Sequence, residues 1–110
     1  MAKYKFKYWY EWDCAGDCLW ADDDITRETF GGGCSHVDIE KLPLSAELIA
    51  FLHETGDLHD RSLNWDYPPD PPDPEQWTPE MAAEFDRRAY EGYDRICQEL
   101  GADYEIIYDV

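Results

Sequence analysis

Five prolines fall between residues 68 and 74, in the stretch Trp-Asp-Tyr-Pro-Pro-Asp-Pro-Pro-Asp-Pro-Glu-Gln-Trp that runs from Trp65 to Trp77. Proline has no backbone donor and its ring collides with the preceding turn, so neither a helix interior nor a central strand can pass through such a run. The regular elements must therefore come from either side of it. The stretch 65–78 itself is expected to be an extended, stiff connector. At 110 residues the chain is expected to form a single domain, 1–110, with enough length to bury a core without staples.

Upstream, residues 3–13 alternate. Tyr4, Phe6, Tyr8, Tyr10 and Trp12 share one face, and Lys3, Lys5, Lys7, Trp9, Glu11 and Asp13 share the other. Period two marks a half-buried strand. Turn chemistry at Ala15-Gly16-Asp17 and the apolar Cys18-Leu19-Trp20 predict a β-hairpin over 3–20. Asp22–Asp24 supply an N-cap for a short helix over 24–30, stopped by Gly31-Gly32-Gly33. Ser45 caps a helix over 45–56, with Leu48, Ile49, Phe51 and Leu52 as its apolar stripe and a continuation to 63 as the alternative end.

Downstream, Thr78-Pro79 is a strong helix start. Met81, Phe85, Ala89, Tyr93 (or Gly92), Ile96 and Leu100 recur at helical spacing before Gly101, which predicts a helix over 79–100. Tyr104, Ile106 and Tyr108 alternate with acids, predicting a strand over 103–109. Its Asp103, Glu105 and Asp109 complement Lys3, Lys5 and Lys7, which places the last strand beside the first. The expected fold is α+β: a three-stranded, antiparallel-type sheet packed against two main helices.

Twenty-six acids against nine bases give a net charge of −17, and the excess sits in two blocks. Glu11–Asp24 holds six acids and no base; Glu54–Asp86 holds ten acids and one base, Arg61. Such fields draw in cationic partners, repel nucleic acid and keep a free chain monomeric. High net charge with few aromatics marks disorder, but five Trp, eight Tyr and four Phe argue for an ordered core. No apolar run approaches a membrane span. The basic N-terminus has no apolar region after it, so no secretory signal is read and a cytoplasmic location is expected.

The preferred functional surface combines Asp57, Asp60, Asp66, Asp70 and Asp73 with Trp65, Tyr67 and Trp77, and adds Asp22, Asp23 and Asp24. Aromatics anchor the buried centre of an interface and acids steer a basic partner toward it. Trp65 and Trp77 have a second reading, as pins that hold the connector on the sheet. One metal set stands out: Cys14, Cys18, Cys34 and His36, the ligand types of tetrahedral zinc. Its C-x3-C and C-x-H spacings match no standard finger, so the alternative is ordinary reduced thiols. A Cys14–Cys18 bridge belongs to an oxidising setting, and Cys97 is a small core residue. His53 and His59, near Glu54, Asp57 and Asp60, are most simply the wet face of a helix.

No nucleotide, flavin, protease or hydrolase motif appears, so no enzyme and no catalytic residue are assigned. In composition alone, with no motif to carry it, the chain is similar to bacterial immunity proteins that neutralise basic toxins, and to phage-type inhibitors that mimic nucleic acid. This predicts a small acidic inhibitor of one basic toxin, nuclease or other nucleic-acid-binding effector, with no cofactor, no membrane and no direct nucleic-acid contact. The alternative is a zinc-stabilised structural or adaptor domain.

Overall fold

The computed structural model describes residues 2–14 and 17–110. The elements run β1 (Tyr4–Tyr8), β2 (Leu19–Ala21), α1 (Asp24–Phe30), β3 (His36–Val37), a 3-10 turn (Ile39–Lys41), α2 (Ala46–Asp60), α3 (Pro79–Leu100) and β4 (Tyr104–Tyr108). The protein is α+β, but the sheet has four strands in the order β3-β2-β1-β4 and is mixed. β1 pairs antiparallel with β2 and parallel with β4, whereas the sequence suggests three strands of antiparallel type.

The parallel pair follows from α3. Phe85 meets Tyr10, and the Tyr8 hydroxyl donates to Ala89 O at 2.6 Å, so α3 runs back along β1 toward its start. Gly101, at φ +77°, turns the chain at once. β4 then leaves in the direction of β1, with Tyr4 opposite Tyr104 and Tyr8 opposite Tyr108. A βα return of this kind yields a parallel neighbour. The expected neighbour is right, and one expected charge pair is in register: Lys5 lies opposite Glu105. Lys7 lies opposite Ile107 and reaches Asp22 instead, at 4.0 Å. β3 is two residues long and carries too little periodicity to be read from sequence.

The core lies between one sheet face and the helices. Phe6, Tyr8, Leu19, Val37 and Ile106 meet Leu48 and Leu52 of α2 and Phe85, Ala89 and Ile96 of α3. α1 covers the end of the same face: Phe30 packs on Tyr4, Phe6 and Tyr104, and buried Thr26 accepts the Lys5 N–H at 2.9 Å. On the opposite face Trp9 stacks flat on Trp20 at 4.6 Å. The strand alternation ends earlier than its pattern. Tyr10 stays buried after β1 ends, but Trp12 sits in a turn and is 40% exposed. The expected turn at Ala15-Gly16 lies outside the described residues.

Helix ends follow their caps. Asp23, Ser45 and Thr78 accept from Thr26 N, Leu48 N and Met81 N. Gly56 does not end α2; it is buried within the helix, which continues to Asp60 and then tightens through Arg61 and Ser62. The connector is not extended throughout. Asn64 Oδ1 accepts from Asp66 N and Tyr67 N, Asp70 N donates to Tyr67 O, and Asp73 O accepts from Gln76 N and Trp77 N. Asx and proline turns fold it locally, because proline fixes φ at a value suited to turns as well as to extended chain.

Candidate partner-binding site

The C-terminal end of α2 organises the site. Asp60 closes that helix, and its Oδ1 accepts the backbone N–H of Asp13 at 2.9 Å. Asp13 takes a left-handed φ of 61° to reach it. Beside it, Trp12 Nε1 donates to Ser62 Oγ at 2.9 Å, and the indole stacks on His59 at 5.4 Å. The loop after β1 is thereby clamped to the end of α2, and the two acidic blocks of the sequence meet. Glu11, Asp13, Asp17 and Asp60 all act on the Cys14 thiol, which burial first and these carboxylates second push above its ordinary value.

From this junction the connector builds a cleft of about 330 Å³. Its walls include Leu63 and Trp65; Asp60, Asp66 and Asp73 bring carboxylates, and Arg61 a guanidinium. Trp65 is fixed at one edge, where Nε1 donates to Asp60 O at 2.8 Å, while the ring remains 54% exposed. Asn64, another lining residue, donates from Nδ2 to Pro71 O at 3.1 Å and so ties the connector back on itself. Asp73 Oδ1 accepts Glu75 N at 2.9 Å.

The expected surface residues thus divide. Asp60, Trp65, Asp66 and Asp73 share the cleft. Tyr67, Asp70 and Asp57 are exposed, Tyr67 and Asp70 in the same connector and Asp57 on α2. Trp77 is partly buried, its ring 6.5 Å from Phe85 of α3, so the contact shown is with a helix and not with the sheet. Asp22, Asp23 and Asp24 have local tasks. Asp23 caps α1, and its bonds to Thr26 hold the carboxyl below the ordinary value. Asp24 pairs with Arg27 at 2.6 Å and Asp22 lies by Lys7.

The cysteine set is dispersed among different environments. Cys18 is wholly buried beside Tyr8 and Tyr10, and desolvation drives its thiol well above the ordinary value. Cys34 is exposed and Cys14 half-buried. His36 Nε2 lies 3.4 Å from Asp17 Oδ2. Among the described residues no group of three or more His, Cys, Asp or Glu side chains is arranged to hold a metal ion.

Trp12, Asp13, His59, Arg61, Leu63, Asn64 and Gln76 were not readable as parts of the site. Asn64 gave the one usable signal, a turn-forming residue ahead of the prolines. His59 is half-buried against Trp12 and Phe85. Desolvation lowers its pKa, with Asp60 and Glu11 opposing, and its Nδ1 has no hydrogen-bond partner among the described residues. Among the described residues no helix is long and apolar enough to cross a membrane.

A search of characterised proteins returns no match. Residues 4–110, nearly the whole chain and every element of the sheet and helices, match the Serratia CdiI immunity protein-like family, and the chain belongs to that family.

Proposed function

We propose that this protein neutralises one basic partner, a toxin, nuclease or other nucleic-acid-binding effector, by binding it through the acidic and aromatic face built on the end of α2. Membership of an immunity protein-like family supports an inhibitor. The observation that carries the finer reading is the junction at Asp60, where two acidic blocks distant in sequence are joined beside the exposed rings of Trp65 and Tyr67. Asp60 and Asp73 also hold backbone there, but the Asp66 carboxylate has no hydrogen bond or ion pair among the described residues. Convergent negative charge raises encounter rates with a cationic surface, and exposed aromatics supply the contact area that slows dissociation. No catalytic role is assigned to any residue.

The test begins with capture from the host lysate, washed at low and then high salt. The retained protein is expected to be basic, to arrest growth when expressed alone, and to be tolerated when this chain is co-expressed. Asp66→Asn, Asp70→Asn and Asp73→Asn together should slow its association about tenfold at low salt and far less at high salt. An unchanged low-salt on-rate would reject this face, and a captured protein that is harmless alone would reject neutralisation.

A further inference from the structure

The Trp65 cleft is lined by an indole, by carboxylates and by one guanidinium that is not ion-paired among the described residues. Among the described residues Arg27, Arg87, Arg88 and Arg95 each hold an ion pair, while Arg61 holds none although it lines the same cleft as Asp60, Asp66 and Asp73. The Asp66 carboxylate likewise accepts no hydrogen bond among the described residues, and Asp73 commits Oδ1 to Glu75 N. Trp65 is anchored through its Nε1 while the residue stays 54% exposed, so indole surface is open beside these carboxylates. Indole is the best of the aromatic partners for a cation, and a planar guanidinium can stack on it while forking onto a carboxylate. An ammonium is compact and strongly hydrated, and gains less from such a wall.

From this we infer that the Trp65 cleft is a receptor for an arginine side chain of the partner, stacked on the Trp65 indole and paired with Asp66 and Asp73. The inference rests on the binding reading above and names the chemistry of its central contact. Arg61 then has a defined effect. It is a resident like charge at the cleft, so it weakens a cationic guest and would strengthen an anionic one.

The probe is N-acetyl-arginine methylamide, titrated into the whole protein and followed by the Trp65 indole N–H resonance, assigned through Trp65→Phe. The lysine and glutamate counterparts serve as comparisons. A saturable shift with the arginine probe is expected, weaker with lysine and absent with glutamate. Asp66→Asn with Asp73→Asn should weaken arginine binding about fivefold, and Arg61→Gln should tighten it. These side chains lie on the surface, and an unchanged circular dichroism spectrum confirms that each variant is folded. No saturable shift, equal response to lysine, or tighter glutamate binding would overturn the inference. If a basic partner is captured while the Trp65 resonance ignores the probe, the cleft assignment fails alone. If the probe binds and no basic partner exists, the functional reading fails and the cleft stands only as a site for a guanidinium, without the partner's arginine as its guest.

Discussion

Gly92 shows how closely α3 approaches the sheet. A Cβ there would lie 2.8 Å from the Tyr8 hydroxyl and 3.0 Å from Leu52 Cδ2. Neither neighbour is free to retreat. Tyr8 is fully buried and bonds to Ala89 O, so its hydroxyl is left to accept from Tyr10 at 2.9 Å. Alanine normally favours a helix over glycine, but here overpacking dominates, and Gly92→Ala should cost about 1–3 kcal/mol in urea denaturation. A neutral or stabilising result would mean that α3 can shift away from β1. His59 makes a second prediction. Its folded pKa lies below the ordinary 6.5, so below that pH the unfolded chain takes up the proton that the folded chain resists. Stability is therefore lost as pH falls through the ordinary histidine value of 6.5 toward the lower folded value. His59→Phe, which keeps an aromatic ring between Trp12 and Phe85, should flatten this part of the profile; parallel wild-type and variant curves would exclude His59 as the source.

At the scale of elements, local chemistry decided what was readable. Helix α3 announces both ends, through Thr78-Pro79 and Gly101, and its apolar spacing has no competing period. Thr78→Ala removes the acceptor for Met81 N and should cost about 1 kcal/mol, measured as a lower midpoint with an unchanged urea slope. An unaltered midpoint would show that tertiary packing alone holds the first turn. The β1 alternation was equally legible, but it extended past the strand, because Trp12 follows the pattern yet is drawn to Ser62 and His59 by a tertiary contact. The parallel direction of β4 was not legible. Charge complementarity identifies a neighbour and carries no sign of direction, which here comes from the path of α3. The cleft was half legible: its acids and Trp65 stand out by type, whereas Arg61, Leu63 and the Asp13–Asp60 bond enter only once the loop after β1 is laid on the end of α2.

The whole molecule carries a charge of −17 on a chain with few exposed cations to offset it. Self-repulsion of this size opposes the compact state. Exposed ion pairs such as Arg87 with Glu84 and Glu91 contribute little against it. Sodium chloride should therefore stabilise the fold. Shortening the Debye length from about 30 Å at 0.01 M to about 3 Å at 1 M should raise Tm by several degrees, about 4–8 °C for each 1 kcal/mol gained. A falling Tm would show that attractive pairs outweigh repulsion.

The pairing of the first strand with the last has a consequence in time. As the chain leaves the ribosome, β1 can meet β2 early, but the other edge of β1 stays open until Tyr104–Tyr108 have been made. Contacts this distant in sequence are slow to form, and an open strand edge on a partly made sheet is a surface to which other chains can pair. The dense negative charge of the intervening segments, emerging before β4, would keep such nascent chains apart during that interval. The same carboxylates would then serve twice, first against self-association and later toward a basic partner.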